Sequence, residues 1–150
     1  MAIWTYTRQA DWAADTTGAP LTGVFSLVPT TATATTLEFS VTQDGVTQTL
    51  TFAGSGLSYS KSLGRITDIL SGTITSIRSA EDGVVWSAGT GLSISAAAMF
   101  DAAVSGSAAA QQALFLGAND VIRATDTADG DILLAGAGAD TISALAGQTA

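Results

Sequence analysis

The chain has 150 residues, 47% of them hydrophobic, and its 5 basic and 13 acidic residues give a net charge of −8. This length and apolar content suffice for one domain with a buried core, while the acidic balance argues against binding to nucleic-acid phosphates. Cysteine and histidine are both absent, which excludes disulfides, thiol chemistry, the usual general base and the common zinc or copper ligands. Oxygen ligands remain, and they suit calcium or magnesium.

Neither a signal peptide nor a membrane span is evident in the sequence. Residues 1–12 contain a single cation, Arg8, together with Asp11, and lack an apolar stretch of signal-peptide length. The longest alanine-rich apolar stretch, 96–100, is far too short to cross a bilayer. We therefore expect no membrane insertion, and either retention in the cell or export without a cleaved N-terminal signal.

Residues 1–94 form a β-rich region of short alternating runs punctuated by glycine. Its clearest unit is a hairpin in which 37–41 and 46–52 alternate around Asp44-Gly45, a dipeptide typical of tight hairpin turns. Because helical connectors are missing, we expect a sheet, a sandwich or a solenoid rather than a doubly wound fold. A short helical turn is predicted near 63–70. Further strands are predicted at 3–8, 24–28, 56–59, 72–77, 84–86 and 92–94.

Residues 95–115 form a short helical segment that is rich in alanine, the strongest helix former. Gly106 divides the segment into two helices, and Ser95 and Ser107 stand where N-caps are needed. We expect these helices to cover an open end of the next region, 116–150, and so to prevent its edge strand from pairing with another strand.

Residues 116–150 carry a degenerate glycine and aspartate repeat. Each copy has an aspartate followed two residues later by an aliphatic side chain: Asp120 and Ile122, Asp131 and Leu133, Asp140 and Ile142. Asp131 and Asp140 are nine residues apart, whereas Asp120 and Asp131 are eleven apart, so the first junction holds a two-residue insertion. Asp129 offers an alternative register for the middle copy, and the spacing leaves both open.

The repeat resembles the G-G-x-G-x-D-x-U-x nonapeptide of bacterial RTX, hemolysin-type calcium-binding proteins of the type I secretion class. The resemblance covers 115–143. It implies a parallel β-roll in which two nonapeptides make one right-handed turn and calcium lies between turns, held by aspartates and backbone carbonyls. The loops ending at Asp120 and Asp140 would share one side, with the Asp131 loop opposite. The implied metal ligands are Gly117, Asn119, Asp120, Asp126, Asp129, Gly130, Asp131, Gly136, Gly138 and Asp140.

The repeat departs from the family pattern, and a metal-free alternative exists. Residues other than the usual glycine, asparagine or aspartate stand at four places: Ala118, Thr127, Ala135 and Ala139. We therefore expect one or two weak calcium sites at most. In the alternative, glycine and aspartate mark turns between strands without any ion.

The sequence thus predicts a mainly all-β protein: an N-terminal sheet, sandwich or solenoid, short alanine-rich helices and a C-terminal RTX-type roll. Since it lacks a G-x-S-x-G nucleophile elbow, no enzyme activity is expected. We expect an extracellular or cell-surface calcium-binding structural protein that self-assembles into a filament, lattice or biofilm-matrix element. Its partners would be its own copies, with cell-surface polysaccharide as a further candidate.

Two alternative functions remain at the level of sequence. The first is a calcium-dependent adhesin or lectin-like module that uses calcium to order a ligand loop. Separately, aromatic side chains could form a stacking platform for carbohydrate, although buried aromatic anchors are the simpler interpretation. The aromatic residues concerned are Trp4, Trp12, Tyr59 and Trp86. The second is a passive RTX folding or secretion module. Self-assembly could also proceed by strand addition, with 1–8 completing a neighbour's sheet.

Overall fold

The computed structural model of the protein describes residues 1–6, 21, 23–124 and 136–144. The strands are β1 Ile3–Tyr6, β2 Thr31–Ala32, β3 Thr36–Gln43, β4 Val46–Ser62, β5 Arg65–Glu81, β6 Val84–Thr90, β7 Ile94–Ser95, β8 Val121–Ala124 and β9 Thr141–Ala144. The helices are a 3-10 helix, Val24–Ser26, and two α-helices, α1 Ala96–Ser105 and α2 Ala108–Phe115. The strands form one open sheet in the order β2-β3-β4-β5-β6-β1-β8-β9, and β7 pairs with β5. The prediction of a mainly β fold is confirmed.

Tight turns connect strands β3 to β6 into an antiparallel meander. The turns are Asp44-Gly45, Leu63-Gly64 and Asp82-Gly83, and all six residues have positive φ. This backbone conformation matches the right-handed twist of the flanking strands. The predicted hairpin around Asp44-Gly45 is confirmed by the pairing of β3 with β4. The helical turn predicted near 63–70 is wrong, because the second hairpin turn sends the chain straight into β5.

Several predicted strands are longer or shorter than the sequence pattern indicated. The segments 56–59 and 72–77 lie within β4 and β5, whose pairing continues through several register shifts between residues 53 and 61. The predictions at 84–86 and 92–94 fall on or beside β6 and β7, and the prediction at 3–8 agrees with β1 over residues 3–6, residues 7–8 lying outside the described part of the chain.

The strand predicted at 24–28 is wrong, because this segment forms the 3-10 helix. Short-range hydrogen bonds hold it, including one from Ser26 N–H to the Gly23 carbonyl at 3.1 Å. Phe25 is buried, with its ring centroid 4.8 Å from that of Phe100 and 5.5 Å from that of Phe39. Packing between the sheet and α1 therefore outweighs the strand preference of this short run.

The core lies between one face of the sheet and the helices. The predicted N-caps are confirmed: Ser95 Oγ accepts the Ala98 N–H, and Ser107 Oγ accepts the Ala110 N–H. Gly106 ends α1 in the left-handed conformation. Within the described residues no helix is long and apolar enough to cross a membrane. The buried side chains include Trp4, Leu37, Phe39, Phe52, Ile69, Ile74, Ile94, Met99, Phe100, Phe115 and Ile122.

The first strand joins the N-terminal and C-terminal regions in one sheet. β1 pairs antiparallel with β6 on one side and parallel with β8 on the other. Both edges of β1 are thus paired within the molecule, so Ile3–Tyr6 could add to a neighbour's sheet only by leaving its own. The helices also differ from expectation: α1 packs against β5 and the 3-10 helix, and Phe115 at the end of α2 contacts Trp4 edge to face.

Candidate metal centre

Three parallel strands, which we call the rungs, form the end of the sheet: β1, β8 and β9. β8 and β9 pair in register, so that Val121 lies beside Thr141 and Ile122 beside Ile142. β1 continues the same register on the other side, with Trp4 beside Ile122. The offset between paired residues of β8 and β9 is 20 residues, which is two nonapeptides plus the two-residue insertion. The repeat therefore brings equivalent positions of its first and third copies side by side.

The turn before β9 approaches the preceding rung so closely that only glycine fits. A Cβ on Gly136 would lie 2.1 Å from the Leu116 carbonyl oxygen, and one on Gly138 would lie 2.2 Å from that of Ala118. Both glycines also have positive φ, 79° and 145°. Two residues of the predicted ligand set are thus required by backbone packing, independently of any ion.

Backbone and side-chain hydrogen bonds hold the two loops together. The Ala139 N–H donates to Asn119 Oδ1 at 2.8 Å, and the Thr141 N–H donates to the Asp120 carbonyl at 2.8 Å. The Asn119 side chain therefore bridges the rungs at the position directly before the aspartates.

The two aspartates repeat a single arrangement along the rungs. Asp140 Oδ1 accepts the backbone N–H of Asp120 at 2.9 Å, and Asp120 Oδ1 accepts the backbone N–H of Ala2 at 3.2 Å. Ala2, Asp120 and Asp140 each come directly before their strand. The carboxylate of Asp140 thus holds the start of β8, and the carboxylate of Asp120 holds the start of β1.

The Asp120 carboxyl group is poorly satisfied by the protein. Its residue is 2% exposed, and within the described residues Oδ2 has no hydrogen-bond partner. Burial raises the pKa of Asp120, the Ala2 N–H lowers it, the negative charge of Asp140 raises it, and the positive charge of the Met1 amino group lowers it, with a net rise. A buried carboxylate oxygen without a partner is costly unless a cation or a proton compensates it.

The structure brings together three of the predicted ligands, Asn119, Asp120 and Asp140. Gly136 and Gly138 lie in the adjoining turn, and Gly117 is exposed just after α2. The remaining predicted ligands lie outside the described residues: Asp126, Asp129, Gly130 and Asp131. In the part of the chain that the structure describes, no group of three or more His, Cys, Asp or Glu could hold a metal ion.

The donor set nevertheless suits a hard cation. Calcium prefers oxygen ligands. The oxygens available here are the unpartnered buried carboxylate oxygen of Asp120, the nearby Asp140 carboxylate and the carbonyls of two stacked turns. The Asn119 and Asp140 Oδ1 atoms already accept backbone N–H groups. Their rung-bridging bonds would hold the loops in place around an ion.

The sequence pattern did not reveal the contribution of Ala2 to this site. Residues 1–6 contain neither glycine nor aspartate, so nothing in the repeat pattern links them to β8. The alternation of buried Ala2 and Trp4 with the less buried Ile3 and Thr5 indicates a strand, but does not indicate its partner.

The aromatic side chains give little support to a sugar-stacking platform. Trp4 is 2% exposed, and its ring meets Phe115 with the centroids 6.1 Å apart. Trp86 is half-buried and the Tyr59 hydroxyl donates to the Thr33 carbonyl at 2.8 Å. Trp12 lies outside the described residues.

Comparison with known proteins adds no further constraint. The chain matches no family model, and no curated protein and no solved structure is significantly similar to it.

Proposed function

We propose that the protein is an extracellular calcium-binding structural protein whose C-terminal repeat stacks as an RTX-type β-roll and which self-assembles. The observation that supports this most directly is the in-register stacking of Asp120 on Asp140, with Oδ2 of Asp120 buried and unpartnered among the described residues. Two neighbouring carboxylates in a chain of net charge −8 favour the binding of a divalent cation.

Calcium would act on the alignment of the rungs. Each aspartate Oδ1 already accepts an N–H of the neighbouring rung, so an ion that binds the remaining carboxylate oxygens ties the strands β1, β8 and β9 together. Neutralising the charge also removes the repulsion between Asp120 and Asp140. Calcium binding and folding of the rungs are therefore thermodynamically linked.

The outer edge of β9 supports the self-assembly part of the proposal. β9 ends the strand order of the sheet, so its far side has no paired strand among the described residues. Ile142, which continues the core row of Trp4 and Ile122, is 39% exposed. Exposed strand edges with apolar side chains associate readily, and in calcium this edge would join molecules into a filament, lattice or matrix element.

Electron microscopy and sedimentation with calcium, magnesium or chelator test this function and separate its alternatives. Fibres or sheets that form in calcium at micromolar protein and dissolve in chelator support structural assembly. Monomers that bind glycans only in calcium support the adhesin or lectin-like module instead. Monomers that merely gain structure in calcium support the passive folding or secretion module.

A matched pair of substitutions makes the experiment specific. Asp140→Asn keeps an Oδ1 acceptor for the Asp120 N–H but removes the charge, and it should abolish the calcium response. Asp101→Asn removes an equal charge from an exposed position on α1 and should leave the response intact. An equal loss in both variants would mean that only net charge matters.

A further inference from the structure

The antiparallel ribbon of β4 and β5 carries opposite charge at its two ends. One end is the Leu63-Gly64 turn, where Lys61, Leu63 and Arg65 are all exposed; we call these three residues the basic end. Two of the chain's 5 basic residues, Lys61 and Arg65, lie within residues 61–65. Asp68, which pairs with Ser60 on the neighbouring strand, is the nearest acid along this hairpin.

The other end of the ribbon is acidic. Here the Asp44-Gly45 and Asp82-Gly83 turns lie side by side, because Asp82 Oδ1 accepts the Thr47 N–H at 2.9 Å and the Asp82 N–H donates to the Thr47 carbonyl at 2.8 Å. Glu81 adds a third carboxylate, which accepts from the Gln48 amide at 2.7 Å. We call Asp44, Glu81 and Asp82, with the adjoining valines, the acidic end.

Both ends also expose apolar side chains. Leu63 is 97% exposed at the tip of the basic end. The adjoining valines of the acidic end are Val41, Val84 and Val85, which are 42%, 70% and 41% exposed. Each end therefore combines charge with apolar surface, and the charges have opposite sign.

Leu63 is an outlier among the turn residues. Its φ is 53°, in the left-handed region, and the equivalent position of the other two hairpin turns holds aspartate, Asp44 and Asp82. Aspartate and asparagine tolerate this conformation, whereas leucine rarely adopts it. Leu63 thus holds an apolar side chain exposed at the tip of the turn in an unfavourable backbone conformation, where it is available for a contact outside the molecule.

We propose that the basic end of one molecule docks on the acidic end of a second copy, with Leu63 against the exposed valines. This contact would supply a partner surface for the self-assembly described above, and it rests on that part of the proposed function. A second copy fits better than an anionic membrane, because a chain of net charge −8 is repelled by such a surface and itself carries the complementary patch.

The geometry of such a contact makes it open-ended. The two surfaces lie at opposite ends of one ribbon, so each molecule uses one surface to receive a neighbour and the other to extend. A head-to-tail contact that does not close gives chains rather than discrete dimers. A hairpin tip buries less than about 1,200 Å², which is typical of weak contacts, so the chains should form at high protein concentration and weaken with salt.

Analytical ultracentrifugation over a wide concentration range tests this contact, in calcium and in chelator. Leu63→Asn blocks the basic end while suiting the left-handed turn, and Val84→Lys blocks the acidic end. Each should raise the dissociation constant about tenfold or more, because each removes apolar contact area and Val84→Lys adds repulsion. Val104→Lys, at a valine of α1 that is 63% exposed, is the matched control and should associate like wild type.

Mixing the two blocked variants gives the sharpest result. In chelator, where the calcium-dependent contact through β9 is not made, each alone should stay monomeric, but together they retain one working pair of ends and should form heterodimers that grow no further. The chain has no cysteine, so Leu63→Asn can carry a single dye through Ala109→Cys on the exposed face of α2. If Leu63→Asn does not fold, as judged by circular dichroism, Lys61→Glu combined with Arg65→Glu blocks the basic end instead. If Val84→Lys does not fold, Val85→Lys blocks the acidic end instead.

Three outcomes would overturn the contact: a wild-type protein that stays monomeric, a Leu63→Asn variant that associates like wild type, or blocked variants that fail to pair. Binding of the monomer to anionic vesicles that is lost in Leu63→Asn would likewise overturn it, in favour of a membrane partner. The heat of calcium binding is measured in a separate experiment that does not use these variants. If the protein binds no calcium but the blocked variants form heterodimers, the metal site is contradicted and the contact is not. If the protein binds calcium but the blocked variants do not pair, the contact is contradicted and the metal site is not.

Discussion

Asp140 accepts the backbone N–H of Asp120 through Oδ1 at 2.9 Å, and Asp120 accepts the backbone N–H of Ala2 in the same way at 3.2 Å. The aspartate of each rung is therefore also a structural residue for the rung before it. A cation bound to these carboxylates would act on strand pairing at once, since the atoms that bind it and the atoms that align the strands belong to the same two side chains.

The two roles of Asp140 are separable by substitution. Asp140→Ala removes the acceptor for the Asp120 N–H and should lower the free energy of unfolding by about 1–3 kcal/mol in chelator. Asp140→Asn keeps the acceptor and should lose much less stability there, while losing calcium binding to a similar extent. Urea denaturation in chelator and calorimetric calcium titration measure the two effects. Equal destabilisation by both variants would show that the hydrogen bond is not the structural element.

Asp120 should make stability depend on pH in the absence of calcium. Its pKa is raised in the folded state, by burial first and by Asp140 as well, so its contribution to stability is present at acidic pH and lost as pH rises through the folded pKa. Asp120→Asn keeps an oxygen for the Ala2 N–H and does not ionise. In chelator, wild type should therefore lose stability relative to Asp120→Asn as pH rises from acidic to neutral.

Calcium should reverse this order at neutral pH, because the ionised Asp120 carboxylate then has a counter-ion and the asparagine does not. Chemical denaturation of both proteins across a pH series, with and without calcium, measures both effects. Parallel pH profiles for the two proteins in chelator would contradict the buried, unpartnered carboxylate.

Gly138→Ala should disrupt the rungs, whereas Gly45→Ala should not. The new Cβ at 138 would lie 2.2 Å from the Ala118 carbonyl oxygen, but the one at 45 meets nothing within 4 Å. Left-handed strain alone should cost Gly45→Ala about 1–2 kcal/mol, and the added clash should bring Gly138→Ala above about 3 kcal/mol. Thermal unfolding with matched circular dichroism gives the comparison. Similar losses in both variants would argue against the close stacking of the loops.

The aliphatic residues of the repeat should differ in importance with their depth. Ile122 is 2% exposed and Ile142 is 39% exposed. Truncation of a buried isoleucine to alanine costs about 2–5 kcal/mol, and Ile142→Ala should cost less than half as much in the monomer. In calcium-grown assemblies the difference should shrink, if a neighbour covers Ile142. Urea denaturation of monomers and pelleting of assemblies provide the two measurements.

Local signals in the sequence predicted much of the fold. Asp44-Gly45 identified its hairpin because only certain residues adopt positive φ in such turns, and Ser95, Ser107 and Gly106 identified the helix ends because capping chemistry is local. Leu63-Gly64 was misjudged as helical, since leucine is a poor indicator of a left-handed turn. The 3-10 helix at Val24–Ser26 was missed because its conformation depends on packing of Phe25 against distant aromatic rings.

The candidate site was predictable only in part. The resemblance to the RTX repeat implied that the loops ending at Asp120 and Asp140 share one side, and the structure pairs the strands that follow them in register. The contact between Asp120 and Ala2 spans 118 residues, and no periodic pattern connects a strand without glycine or aspartate to a repeat that depends on both. Non-local pairing of this kind follows from the shape of the whole sheet.

Calorimetric titration of metal-stripped protein with calcium, followed in parallel by circular dichroism, tests the central claim most directly. Heat of binding with a gain of β signal in wild type, both lost in Asp140→Asn and both retained in Asp101→Asn, is the predicted result. No heat from calcium and an unchanged spectrum in the wild-type protein would contradict a calcium site between the rungs.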